Sequence, residues 1–293
     1  MKILLLGDYS NVHATLAEGL RQLGHDVTVA SDGDEWKNYP RDIDFYRDLN
    51  WGKWKTLRYL WHLVKVFRKF RGYDIVQLIN PIFIPLKAER IMPFYNFLRR
   101  FNKRVFLGAF GMDHYWVQAG LDCTTFRYSD FNMGLEVRES DENDIWIREW
   151  LRGKKGELNQ RIAADCDGII ICNSASAEMG SVIKTCEDNE VYVAQFFRVI
   201  DPTANPDEYA QACASPYYVG AVHESEVDNG KTLVTILGQQ GHRKIGLEGW
   251  EPGDATFLGR WDGYKAGVEA WNEAHADDKM EMLEPQYGRT TTD

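Results

Sequence analysis

Five cysteines in 293 residues, no two of them in CxxC spacing, leave little to staple this chain. Cys123, Cys166, Cys172, Cys186 and Cys213 are odd in number, which fits reduced thiols better than a disulfide framework. A chain of this length needs no staple, because it can bury a large core. No segment approaches the roughly 20 consecutive apolar residues of a membrane-spanning helix. After Met1-Lys2 only Ile3, Leu4, Leu5 and Leu6 are apolar before Gly7-Asp8 breaks the run. A secretory leader needs an apolar region of about 7–15 residues, so the expected location is the cytoplasm. Positive charge is outnumbered, with 34 Lys and Arg against 44 Asp and Glu. A net charge of −10 argues against wholesale binding to nucleic acid or to an anionic membrane, since a phosphate surface repels it. A local basic patch stays compatible with that balance. The hydrophobic share of 44% and charged share of 27% are those of a globular protein.

What is present is a βα rhythm. Residues 2–6 form a short, wholly apolar run, the pattern of a buried parallel strand. Gly7-Asp8-Tyr9-Ser10-Asn11 makes a turn, and Val12, Leu16, Leu20 and Leu23 then share one helical face. Gly24 stops that helix and 27–30 forms a second strand. Such a βαβ unit crosses over right-handed and gives parallel strands. Further strands are expected at 74–79, 105–107, 168–172, 191–194, 217–222, 244–248 and 280–283. Helices are expected within 45–71 and at 87–102, 141–165, 173–186, 226–240 and 258–275. Residues 201–216, with three prolines, read as a crossover rather than a core element. The expected class is α/β: Rossmann-like parallel sheets flanked by helices, in two lobes, 1–200 and 201–293.

Two loops carry the residue types that do chemistry. Asp8, Tyr9, Ser10, Asn11 and His13 lie where the first strand meets the first helix, a place where free N–H groups and the helix dipole converge. The loop has one glycine and so serves a dinucleotide pyrophosphate poorly. His13 is a candidate proton acceptor or donor near neutral pH. The alternative is that Asp8 or Ser10 caps the helix and His13 packs. Phe110, Gly111, Met112, Asp113 and His114 follow the fourth strand and open on the same sheet edge. Asp113 and His114 are therefore candidates to deprotonate a sugar hydroxyl, against a loop with a helix cap. The acidic stretch 136–144 has no histidine beside it and reads as a solvated helix start. No metal site and no cofactor are expected.

Residues 45–71 interleave aromatics and cations. Trp51, Trp54, Leu57, Trp61, Val64 and Phe67 recur at helical spacing, with Lys53, Lys55, Arg58, Lys65, Arg68, Lys69 and Arg71 between them. One reading is a helix over the sheet with a solvated basic face. The other is peripheral contact with an anionic membrane or a lipid-linked acceptor. Nucleic acid is not an expected partner.

The runs Lys2-Ile3-Leu4-Leu5-Leu6-Gly7, Asn11-Val12-His13-Ala14-Thr15-Leu16-Ala17-Glu18-Gly19-Leu20 and Leu23-Gly24-His25-Asp26-Val27-Thr28-Val29-Ala30 resemble the N-terminal, acceptor-side domain of GT-B type glycosyltransferases. With the pieces 74–79 and 106–113 the resemblance runs from residue 1 to about 165. It implies transfer of a sugar from a nucleotide-sugar donor to an acceptor, in some members without a metal. The family's donor-binding half is not recognisable in this chain. From about 155 to 293 the chain is similar to type I periplasmic sugar-binding proteins and LacI-type repressors. Asp167-Gly168-Ile169-Ile170-Ile171, Gly241-His242-Arg243-Lys244-Ile245-Gly246 and Arg260-Trp261-Asp262-Gly263-Tyr264 carry that likeness. By position in that family, Trp250, Asp254, Phe257 and Arg260 are its sugar-cleft candidates; the alternative pairs Arg260 with a local acid and packs Trp250. Two family patterns meeting near 165–171 imply a fusion, natural or engineered. Three functions follow as expectations: a glycosyltransferase-like enzyme, active or not; a non-catalytic binder of free sugar; or an α/β chimera without activity.

Overall fold

The computed structural model describes residues 1–47, 54–110, 112–122, 131–133, 135–171, 179–196, 199–200, 202, 205–249 and 255–287. The chain forms two compact units, Met1–Val222 and His223–Asp293. The first opens with β1 (Lys2–Leu6), α1 (Val12–Gln22), β2 (Asp26–Ser31) and β3 (Ile43–Asp44). Then come α2 (Lys55–Phe67), β4 (Ile75–Leu78), α3 (Met92–Phe101) and β5 (Arg104–Ala109). α4 (His114–Gly120), the short pair β6 (Asn132–Met133) and β7 (Glu136–Val137), α5 (Asp141–Trp146) and α6 (Lys154–Ala163) lead to β8 (Gly168–Ile171). α7 (Met179–Asp188), β9 (Tyr192–Phe196), α8 (Pro206–Ala214) and β10 (Tyr218–Val222) complete it.

Eight strands form one sheet in the order β10-β9-β8-β5-β4-β1-β2-β3, every neighbouring pair parallel. Leu4 lies beside Val76 and Phe106 beside Gln77, so both belong to this sheet. The fold is thus α/β and Rossmann-like. Side chains alternate between its faces. Leu4, Leu6, Val76, Leu78, Val105 and Leu107 pack with Tyr59 and Leu63 of α2, Tyr95 and Leu98 of α3, and Leu158 and Ile162 of α6. Ile3, Leu5, Val27 and Val29 pack with Ala17 of α1 in a separate cluster. From β1 the chain steps outward to β2 and β3, then returns through α2 to β4 on the other side of β1. The strand order therefore reverses between β1 and β4.

Several local expectations shift. α1 buries His13, Ala14 and Ala17, while Leu16 and Leu20 are half-buried and Leu23 is 75% exposed. Leu16 and Leu20 of the apolar stripe still pack on the sheet, whereas Leu23 is the C-cap beyond the last helical residue, Gln22. The helical stretch expected over 141–165 is two helices with a π-helical turn, Ile147–Leu151, between them. At the break, a Cβ on Gly153 would stand 2.6 Å from the Arg148 carbonyl oxygen. Residues 206–214, expected as crossover, are the helix α8. Pro206 stands at its start, Asp207 and Glu208 complement its dipole, and Ala212 enters the core. The prolines flank the helix rather than interrupt it. β10 pairs with β9, so it is the edge strand of the large sheet and lies in the first unit.

The second unit contains α9 (Glu226–Gln239), β11 (Lys244–Ile245), β12 (Glu248–Gly249), α10 (Ala255–Ala274), β13 (Glu281–Met282) and β14 (Gln286–Tyr287). The expected strand 244–248 is two short strands in separate sheets: β11 pairs with β13 and β12 with β14, each parallel. α9 and α10 touch backbone to backbone, since a Cβ on Gly263 would sit 2.2 Å from the Val227 carbonyl oxygen. Val234, Ile245, Tyr264, Val268 and Met280 form this unit's core. Among the described residues no helix is long and apolar enough to cross a membrane.

Candidate functional site

In a parallel sheet all carboxyl ends lie on one edge, and the crevice at an order reversal is where ligands bind. Here that crevice lies between the loops leaving β1 and β4. Gly7 makes the first turn with φ +80°, and a Cβ on it would stand 2.4 Å from Ile79 Cγ2. Ser10 and Asn11 follow with φ 52° and 65°. Two consecutive non-glycine residues in the left-handed region are uncommon and strained, and such strain gathers at ligand sites. The loop after β2 meets this one: Ser10 N–H donates to Asp34 Oδ2 at 3.1 Å, and Lys37 Nζ pairs with the same oxygen at 2.6 Å. The β4 loop is fixed by Ile82 N–H donating to Asn80 Oδ1 at 2.7 Å.

Asp8 is 1% exposed and caps α1: its two oxygens accept from His13 N–H at 3.0 Å and Ala14 N–H at 3.2 Å. Burial raises its pKa against the pull of those N–H groups, and Asp34 pushes it the same way. His13 is fully buried. Its Nδ1 stands 2.6 Å from the Gly7 carbonyl oxygen, which only accepts, so Nδ1 carries the proton. Nε2 then accepts from the Gln77 amide at 3.1 Å. Burial pushes this imidazole down to about 4, against the raising effect of the Gly7 carbonyl, so it is neutral at physiological pH. Both ring nitrogens are engaged, and the ring ties the β1 loop and α1 to β4. Tyr9 is exposed beside them, and Asn11 Nδ2 donates to Thr15 Oγ1 at 3.2 Å.

After β5 the backbone passes close to β4. A Cβ on Gly108 would lie 2.7 Å from the Ile79 carbonyl oxygen, and the Phe110 ring folds back over the same glycine. Phe110 meets Phe196, at the end of β9, edge to face with centroids 5.6 Å apart. Asp113 is buried and caps α4, its Oδ1 accepting from Trp116 N–H at 2.8 Å; burial raises its pKa against the pull of the Trp116 and Tyr115 N–H groups. His114 is buried too, with Nδ1 donating to the Trp150 carbonyl at 2.8 Å and its backbone N–H to Asn159 Oδ1 at 2.9 Å. Gln160 closes on its other ring nitrogen. Nearby residues Trp150 and Asn159 are buried, and Trp150 Nε1 and Asn159 Nδ2 find no hydrogen-bond partner among the described residues. Buried donors in that state call for a water or a ligand.

Gly111, Trp250 and Asp254 lie outside the described residues. Phe257 is buried in the second unit, 5.0 Å from the Tyr287 ring and pressed against Gly249. Arg260 is exposed and pairs with Glu226 of α9, Nε to Oε2, at 2.6 Å. Among the described residues no group of three or more His, Cys, Asp or Glu is placed to hold a metal ion. The acidic stretch begins in β7, and only its residues 141–144 start α5, where Ser140 caps by accepting from Asn143 N–H at 3.1 Å. Cys166 and Cys186 are buried free thiols and Cys213 an exposed one; Cys123 and Cys172 lie outside the described residues.

Sequence reasoning missed Gln77, Asp34, Trp150, Asn159 and Gln160. Gln77 left one signal, a lone amide in the apolar run 75–79. The others became neighbours of the site only through folding. No family model matches the chain, and no curated protein matches it.

Proposed function

We propose that the Met1–Val222 unit holds a neutral, polyhydroxylated acceptor at the carboxyl edge of its sheet. The sugar is transferred to it from a nucleotide-sugar donor, as in a GT-B type glycosyltransferase. One observation carries the choice of a neutral guest. The N-terminus of α1 at the strand-order reversal, where a phosphate would dock, already holds the Asp8 carboxylate. Asp34, on the adjoining β2 loop and paired with Lys37, holds the Ser10 N–H as well, so that donor is also taken. A phosphate there meets like charge, whereas a hydroxylated ring meets exposed Tyr9, half-buried Phe110 and strained backbone at Ser10 and Asn11. His13, Asp113 and His114 are 0%, 8% and 8% exposed, and act in this reading as positioning residues for the two loops.

Amide NMR on the intact protein tests the site. Titration with monosaccharides and short glycosides should move the Gly7, Tyr9, Ser10 and Asn11 amides, while inorganic pyrophosphate leaves them in place. Tyr9→Ala or Phe110→Ala should weaken sugar binding about tenfold, the scale of losing one aromatic contact. Pyrophosphate shifting the His13 and Ala14 amides would reverse the reading of the loop. Absence of both transfer and hydrolysis with a panel of nucleotide-sugars and glycoside acceptors would remove the enzyme.

A further inference from the structure

The sheet uses only one side of α2. Tyr59, Leu63, Val66 and Phe67 face the core, yet the opposite side is not polar. Trp54, just before the helix, and Leu57, Trp61 and Val64 on it are 70%, 60%, 64% and 48% exposed. Their three- and four-residue spacing lines them along one stripe. Arg58, Lys65 and Arg68 fall on the same side of the helix and are exposed, and Lys65 Nζ rests 4.3 Å from the centre of the Trp61 ring. The end of α3 extends the patch: Arg71 stacks on Phe97 and Phe101 at 5.0 and 4.5 Å, with Arg100 beside Phe101. Among the described residues none of Arg58, Lys65, Arg68, Lys69, Arg71 and Arg100 forms an ion pair. No aspartate or glutamate occurs between Asp48 and Asp74, in a chain whose net charge is −10.

From this geometry we infer that the outer face of α2 docks flat on an anionic lipid bilayer, with Trp54, Leu57, Trp61 and Val64 in the headgroup–acyl boundary and the cations on the lipid phosphates. A short amphipathic helix rich in Trp and Lys/Arg is stable in that plane because the boundary receives apolar bodies and charge together. Indole rings favour that depth. The shape fits a surface rather than a groove. Trp54 and Trp61 stand roughly 10 Å apart along a convex helix, which a flat bilayer meets at both points. A nucleic acid would use the cations but has no place for Leu57 and Val64, whereas the headgroup–acyl boundary receives both. The inference does not depend on the acceptor site.

Co-sedimentation of the intact protein with vesicles tests it. One set is phosphatidylcholine alone and the other about one third phosphatidylglycerol. The protein should pellet with the anionic set only, and binding should weaken as salt rises. The pair Trp54→Ala with Trp61→Ala, and separately Lys65→Glu with Arg68→Glu, should each lower the partition coefficient about tenfold or more. These side chains are exposed, so circular dichroism should report unchanged folding. Brominated acyl chains should quench fluorescence in the wild type and much less in Trp54→Phe with Trp61→Phe. Failure to pellet with anionic vesicles at low salt overturns the inference. So does pelleting that either pair of substitutions leaves intact. A dimer in sedimentation velocity that the tryptophan pair dissolves would assign the face to a second copy instead, and tight duplex retention indifferent to the tryptophans would assign it to nucleic acid.

Discussion

Gly7 answers two demands that no other residue meets together: a φ of +80° and a neighbour at van der Waals contact on the side where a Cβ would stand. Gly7→Ala should cost at least about 2 kcal/mol, from left-handed strain plus displacement of Ile79, read as a lowered urea midpoint. His13 supplies a pH signature. The unfolded chain protonates an imidazole near 6.5, while the fold holds His13 down to about 4. Between those values the unfolded state binds more protons, so stability falls as pH drops through the window, by up to about 3 kcal/mol, and levels off beneath it. Asp8 and Asp113 act in the opposite sense. Burial raises both above 3.8, so their share is present at low pH and is lost as pH climbs past that value. Subtracting urea midpoints of His13→Gln from wild type between pH 7 and pH 4.5 isolates the histidine; parallel curves would show that its burial carries no linkage. At this scale Asp8, Tyr9, Ser10, Asn11 and His13 were legible as neighbours on one loop. An inward His13 with Asp8 as the cap was one of two readings left open, and the choice was not legible because the partner, Gln77, is 64 residues away.

At the scale of elements, one acidic residue clamps two strands. Asp167, before β8, accepts from Val105 N–H of β5 at 2.7 Å, pairs with Arg104 at 3.2 Å and closes on Arg99 of α3. Its side chain is 13% exposed, so the pairs are partly shielded from water. Asp167→Ala leaves the Val105 N–H and the Arg99 guanidinium without this partner, and should cost about 2 kcal/mol in denaturation. Asp167→Asn, which keeps one acceptor, should recover part of it. α8 marks where composition misled. Proline density between 201 and 216 signals a break only when proline falls inside a helix, and Pro206 falls at the first turn. Glu208 then accepts from Gly180 N–H of α7 at 2.6 Å, a tie invisible in the sequence because it joins residues 28 apart.

For the whole molecule, the two units differ in what they bury. The large sheet has an apolar cluster on each face, from Leu4 through Ile162 on one and from Ile3 through Val29 on the other. The second unit gathers Val234, Ile245, Tyr264, Val268 and Met280 around two helices and two-residue strands. Stability scales with buried apolar area, and small units are marginal. A fragment of residues 1–222 should therefore unfold cooperatively by near-ultraviolet circular dichroism, while 223–293 alone should show weak amide protection. A fragment 1–222 without a sharp transition would show that the sheet needs the rest of the chain.

The amino-acid pattern by itself determined the α/β class, the parallel direction of the strands and the place of the β1 and β5 loops on one edge. These follow from local hydrophobic periodicity and from the handedness of βα crossovers. Folding alone decided the eight-strand order with its reversal at β1, the inward turn of His13, the occupation of the α1 N-terminus by Asp8, and the exposed outer face of α2. Each is set by partners distant in the chain, and periodicity reports which residues share a face but not what that face meets.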